Sequence, residues 1–231
     1  MNAKAAELGL GDTHFVNPHG LYHEEHYTTA YDLAIIAAKA LEDPVLREIV
    51  STKRTVIPQG VTSENPSGSS ERYLYNHNKM LHLYDGAIGV KTGFTKKTGR
   101  CLVSAAERDG LTLVAVTLNA SSDWNDHTAM LDYGYSLYER VTLFRVGEFT
   151  CAYGISGGKE EQVTLSNSKE ITLTLPKNRQ RVKCTVSSHQ RFELAPVNQG
   201  EVLASLTVFA AGKSASSPLI AAHGVEERKK K

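Results

Sequence analysis

Cysteine is scarce in this sequence: Cys101, Cys151 and Cys184 are the only three in 231 residues, an odd number without metal-ligand spacing. Neither a zinc site nor a full disulfide framework is therefore implied. Cys101 falls in an apolar run and reads as a buried small hydrophobe. A Cys151–Cys184 bridge stays an open alternative for an exported chain. No stretch approaches the ~18 apolar residues of a spanning helix, and the opening MNAKAAELGLGD lacks the apolar core of a signal peptide. Charge of one sign is also missing. The net charge is +1, so the basic surplus of a nucleic-acid-binding domain is absent and nucleic acid is not an expected partner.

What remains is ordinary globular composition, 41% hydrophobic and 22% charged. The opening residues read as the last turns of a helix, ended by Gly9 or Gly11; a chain that begins inside a helix reads as truncated at its front. Leu33, Ile36, Ala37, Ala40 and Leu41 make the stripe of an amphipathic helix, with Thr28 or Thr29 as its cap and Asp32 near its positive end. Asp43-Pro44 opens a second short helix. Thr52 to Pro58 reads as a strand, and Gln59 to Glu71 as a loop rich in Gly, Pro and Ser.

Two strands, Arg100 to Ala106 and Leu111 to Leu118, are joined at Asp109-Gly110, a favoured hairpin turn. Because Val114, Ala115 and Val116 barely alternate with polar residues, this pair is expected to be central in a sheet covered on both faces. A second helical stripe of Met130, Tyr133, Gly134, Leu137 and Tyr138 would pack on it. After Arg140 the texture changes to short strands: Val163 to Leu165, Ile171 to Leu175, Val182 to Val186, Phe192 to Leu194 and Val202 to Phe209. Their spacing of about ten residues predicts a small all-β sandwich or barrel. A boundary near Val141 to Gly147 then divides the chain into residues 1–142 and 143–231. The EERKKK tail is a solvated charge run.

Lys91-Thr92-Gly93 stands inside YDGAIGVKTGFTKKTGRCLVSAAERDGLTLVAV. On a strand edge the lysine offers an ammonium for a carboxylate or a proton relay. The threonine adds a hydroxyl, and the glycine clears space for another backbone to approach. The N–H of Phe94 would then be placed to stabilise an oxyanion, a role independent of its side chain. The tripeptide alone arises by chance in roughly one in twenty chains of this length, so its context decides.

That context resembles the serine-type D-alanyl-D-alanine carboxypeptidases, the low-molecular-mass penicillin-binding proteins, which share Lys-Thr-Gly as a third motif. The residues that carry the resemblance are the NPHGL turn (Asn17 to Leu21), HYTTAYDLA (His26 to Ala34), NHNKML (Asn76 to Leu81) and the GLTLVAV strand. The resemblance covers essentially the whole chain. It implies an α/β (α+β) partial β-lactamase/transpeptidase-like domain followed by a small all-β domain. It further implies a serine that attacks the D-Ala-D-Ala stem of peptidoglycan and passes the acyl group to water, with β-lactams as inhibitors of the complete enzyme. The implied location is the cell envelope outside the cytoplasmic membrane, with membrane association in the complete protein. Carried over, Lys91 would help hold the substrate carboxylate, Thr92 would bond it, Gly93 would allow a strand-like approach and Phe94 would supply its N–H.

The departures are as informative. No S-x-x-K or S-x-N stands in the expected order before the triad. Ser166 to Lys169 fits the first pattern but follows it, and Ser63-Glu64-Asn65 fits the second within the Ser-rich loop; both read as chance matches. No catalytic residue is therefore assigned, and the chain alone is expected to be inactive in acyl transfer. SSDWNDH (Ser121 to His127) lacks the arginine that such proteins often place after the hairpin. His19, His23 and His26 with Glu24 and Glu25 lack the H-E-x-x-H spacing and read as a turn, so no metal is expected, and no cofactor. Ser104 and Ser121 receive no role. The rival readings are a non-catalytic cell-wall-associated binding module and a fragment of a longer gene product.

Overall fold

The computed structural model describes every residue except 61, 62, 64–66, 69, 179–181, 189, 230 and 231. It divides into two compact units, Met1–Ser136 and Leu137–Lys231.

The first unit carries, in chain order, α1 (Asn2–Glu7), α2 (Ala30–Ala40), α3 (Pro44–Ser51), β1 (Arg54–Pro58), β2 (Glu71–Tyr75), α4 (Met80–Leu83), β3 (Ala87–Thr95), β4 (Gly99–Arg108), β5 (Leu111–Thr117) and α5 (Asp123–Leu137). Local chemistry sets the ends. Gly9 takes the left-handed conformation that stops α1 (φ 73°). Thr29 Oγ1 accepts from the Asp32 N–H at 3.0 Å, and Asp43 Oδ1 accepts from Val45 and Leu46 N–H at 2.8 and 3.1 Å. Asp32 does more than face a helix dipole: it is buried, and its carboxylate accepts from Thr13 Oγ1 at 2.6 Å.

Asp109 and Gly110 both have positive φ, 50° and 72°, the type I′ geometry whose twist matches the flanking strands. β3, β4 and β5 form an antiparallel sheet in that order. β4 is therefore central, while β5 stands at one end among the described residues, a correction to the expected central pair. The apolar run in β5 has another cause: α2 packs against this strand, and Ala115 joins the cluster of Met80, Tyr84, Leu102, Ala106 and Leu131. Helices, not flanking strands, remove both faces from water.

The stripe expected on α5 also needs correction. Met130 and Tyr133 are exposed, and Tyr138 belongs to the next strand. The buried face is Asp123, His127 and Leu131, spaced by four, with Gly134 close by. Two polar members disguised it. Gly134 lets the helix sit close to β5: a Cβ there would come within 2.7 Å of Leu113 Cδ1, so that side chain would have to turn aside. In the region expected to be loop, Glu71 instead begins β2, which pairs antiparallel with β1. Much of the remainder lies outside the described residues, including Glu64 and Asn65 of the S-x-N match.

The second unit is a β sandwich of β6 (Tyr138–Phe144), β7 (Thr150–Ser156), β8 (Gln162–Asn167), β9 (Ile171–Pro176), β10 (Lys183–Ser187), β11 (Phe192–Leu194), β12 (Val202–Ala210) and β13 (Lys213–Ala221). One sheet has the order β10-β12-β13-β8-β7-β11, and β6 pairs with β9 in the other. Alternation in β9 and β12 sends Ile171, Leu173, Leu175, Leu206 and Val208 inward. Because β6 pairs with β9 from Tyr138↔Pro176 onward, the division falls at 136/137, whereas the expected boundary cuts through this strand. All three cysteines are free thiols; β12, β13 and β8 stand between the strands of Cys151 and Cys184. Cys101 is partly exposed, not buried, because it lies on the sheet face opposite α5 near the hairpin end.

Candidate active site

The triad lies in the outer half of β3, whose only ladder partner among the described residues is β4. The register Thr92↔Leu102, Gly93↔Cys101, Phe94↔Arg100 fixes the faces. Ser104, two residues beyond Leu102, bonds to His127 of α5, so Thr92, Phe94, Arg100 and Leu102 lie on the α5 side of the sheet. Lys91, Gly93 and Cys101 lie on the other side, the one facing α3, where a Cβ at Gly89 would strike Val50.

The same register shows what the edge offers. The Arg100 carbonyl accepts from the Ala120 N–H at 2.9 Å, so its peptide groups point away from β3. Arg100 and Phe94 are thus a non-hydrogen-bonded pair, and the N–H and C=O of Phe94, like those of Thr92, face the open edge. Lys91 Nζ donates to that Thr92 carbonyl. Gly93 has no positive φ, and a Cβ on it would meet only Cys101, at 3.8 Å, an ordinary contact. The fold does not require glycine here. Gly99 is different: a Cβ would come within 2.0 Å of Asn119 Oδ1, where the chain leaving β5 crosses β4.

Arg100 was not flagged by its sequence context. Its Nη2 and Nε donate to the two oxygens of Asp123 at 2.8 and 3.1 Å, a bidentate pair at the start of α5. Asp123 is 3% exposed. The guanidinium lies 5.6 Å from the Trp124 ring centroid. Behind it, the buried His127 bonds through Nδ1 to Ser104 Oγ, 2.5 Å away, and through Nε2 to Thr117 Oγ1 at 2.9 Å. Burial pushes His127 down to about 4, against the opposing pull of Asp123 and Asp126. Ser104 and His127 are both fully buried, so this pair clamps α5 to the sheet and has no access to a substrate.

The histidine-rich turn is held by its own rings. Nδ1 of His19 accepts from Leu21 N–H at 3.1 Å, that of His23 from Glu25 N–H at 3.2 Å and that of His26 from Val16 N–H at 3.3 Å. No metal-ligating cluster forms among the described residues. Tyr22 of this turn lies under Lys97 Nζ, 4.0 Å from the ring centroid, which brings the NPHGL segment beside the tip of the β3–β4 hairpin. Ser166 sits within β8 and Lys169 in the turn after it, so they lack the helical turn that sets residues three apart side by side. A second S-x-x-K match, Ser156 to Lys159, ends β7; its lysine pairs with Glu226. Ser121 is exposed just before α5. An apolar cavity of about 620 Å³ is lined by residues of α1, α2 and α3, such as Ala5, Ile36 and Leu46, and by none of the triad.

A three-stranded antiparallel sheet backed by a helix, with Lys-Thr-Gly on an open edge, defines a β-lactamase/transpeptidase-like fold. Residues 1–122 match the D-alanyl-D-alanine carboxypeptidase family and residues 138–227 match the penicillin-binding protein 5 C-terminal domain, and the chain belongs to that carboxypeptidase family. It is 30% identical to the D-alanyl-D-alanine carboxypeptidase DacF of Bacillus subtilis over 227 residues, covering 96% of this chain and 56% of the relative. Against the Escherichia coli enzyme DacC it is 25% identical, covering 98% and 56%. The chain thus spans a little over half the length of these relatives. Penicillin-binding protein 5 of Haemophilus influenzae superposes with a TM-score of 0.62 at 25% identity, over 98% of this chain and 64% of that one. A peptidoglycan synthesis regulatory factor (PBP3) of Streptococcus pneumoniae gives 0.70 at 22% identity, over 97% and 68%, a likeness of fold alone.

Proposed function

We propose that this chain supplies the substrate-binding edge of a serine-type D-Ala-D-Ala carboxypeptidase acting on peptidoglycan stem peptides at the cell envelope. The carrying observation is the open edge at Thr92 and Phe94, with a glycine between them that the fold does not need. A peptide laid along β3 adds a strand. Thr92 offers its hydroxyl, Lys91 its ammonium and local field, and Gly93 the clearance. Phe94 offers an N–H to the oxygen of the scissile carbonyl, where negative charge develops during acyl transfer.

The chemistry served is attack of a serine hydroxyl on the penultimate D-alanine carbonyl. The C–N bond breaks, the amine leaves protonated as D-alanine, and water then hydrolyses the ester. β-Lactams present the same carbonyl and carboxylate and would occupy the same edge. Neither S-x-x-K match is read as supplying the nucleophile, since both serines lie on strands of the sandwich and their lysines beyond the strand ends, with no helical turn to bring the pair together.

The test is calorimetric binding of N-acetyl-Lys-D-Ala-D-Ala to the chain and to Gly93→Val. The expected result is binding of the D,D-peptide in preference to its L,L isomer, abolished in the variant while the melting temperature holds. Equal binding by Gly93→Val refutes the strand-addition reading.

A further inference from the structure

We propose that Lys96 and Lys97, at the tip of the β3–β4 hairpin, select the stem peptide by the residue that precedes its D-Ala-D-Ala end. They favour a side-chain carboxylate at that position, as in a diaminodicarboxylic acid, over the ammonium of lysine. The inference rests on the substrate-edge reading above, which also fixes the direction of the peptide. Its terminal carboxylate lies at Thr92 and its scissile carbonyl at Phe94, so the rest of the peptide continues past Phe94 toward the hairpin tip, antiparallel to β3. A strand advances about 3.4 Å per residue. The residue before the D-Ala pair therefore falls beside Thr95 and Lys96, within reach of the side chains of the tip.

The tip is ordered and positive. Lys96, Lys97 and Thr98 form the turn between β3, which ends at Thr95, and β4, which begins at Gly99. Thr98 N–H donates to Thr95 Oγ1 at 3.0 Å, and the two threonine hydroxyls bond at 2.6 Å. Lys97 is exposed, with its Nζ 4.0 Å from the Tyr22 ring centroid, a contact that keeps the charge. Lys96 is exposed and has no hydrogen-bond or ion-pair partner among the described residues. No carboxylate pairs with either lysine among those residues, although Glu24 and Glu25 share the turn that carries Tyr22. Two ammonium groups without a counter-charge thus stand where the binding edge ends. They attract a carboxylate and repel an ammonium, and discrimination draws on both. Exposed charges interact weakly, so the effect is a preference and not a requirement.

The experiment is an NMR titration of the ¹⁵N-labelled 231-residue chain with N-acetyl-Glu-D-Ala-D-Ala and with N-acetyl-Lys-D-Ala-D-Ala. The glutamyl peptide is expected to bind about three- to tenfold more tightly, and the ratio to fall toward one in about 1 M salt. Both lysines are exposed, so their variants should keep the fold. Lys96→Gln should lower the ratio and Lys96→Gln/Lys97→Gln should remove it, whereas Lys96→Arg/Lys97→Arg, which keeps both charges, should retain it. Equal affinities in the native chain, or a preference that survives either high salt or the double glutamine variant, overturns the proposal and leaves the substrate-edge reading standing. Failure of the native chain to bind either peptide refutes the substrate-edge reading, and this inference with it.

Discussion

His127 gives the structure a measurable pH signature. It is fully buried between α5 and the sheet, bonded to Ser104 and Thr117, and burial lowers it from 6.5 to about 4. Between those values the unfolded chain binds a proton that the folded chain refuses, so stability rises with pH across this window and is lost as pH falls from 6.5 toward 4. A shift of this size corresponds to about 3 kcal/mol in full, of which about 2 kcal/mol is lost between pH 7.5 and 5. Trp124 is the only tryptophan in the chain and lies on α5, so its fluorescence reports the unit that contains His127. Urea unfolding followed by this signal at both pH values should show the loss in midpoint. His127→Gln starts less stable, but its midpoint should be nearly flat over the same range. A slope as steep in the variant as in the native chain would refute the assignment to His127.

Three further outcomes follow from packing and chemistry. Gly134→Val sets a Cβ 2.7 Å from Leu113 Cδ1 and crowds the same spot with two further methyls, with little helix-propensity gain to offset it, and should cost about 1–3 kcal/mol, seen as a lower urea midpoint in the same fluorescence signal; unchanged stability would mean that α5 does not seat there. Without reductant, all three thiols should be titratable after unfolding, and in the folded chain Cys184 should react before Cys151, whose thiol is raised by burial. Recovery of only one thiol contradicts the sandwich topology. Intact mass after excess penicillin should show no added drug, because Ser156 and Ser166 both lie on strands; a shift by one drug mass would make one of the chain's serines a working nucleophile.

Sequence carried the local features well. Thr29, Asp43 and Asp109-Gly110 act through neighbours within a few residues, so the two helix starts and the hairpin were readable directly. α5 was misread because its inward face includes Asp123 and His127, and only their partners on β4 and β5 make those polar groups tolerable in a core. β6, β7 and β13 were not read as strands, and β6 in particular takes its place by pairing with β9, some thirty residues onward. The same limit applied at the site. Lys91-Thr92-Gly93 is contiguous and stood out, whereas Arg100 acquires its geometry from Asp123, 23 residues away. Gly93 is the reverse case: a glycine that the fold itself does not require, and for which the proposed strand-like approach of a peptide gives a reason.

The most direct measurement of the central claim is the backbone-amide map of the ¹⁵N-labelled chain titrated with N-acetyl-Lys-D-Ala-D-Ala. The account predicts saturable shifts concentrated at Thr92 and Phe94, and little change for the L,L peptide. Shifts confined to the sandwich, or none along β3 in a folded sample, would contradict it.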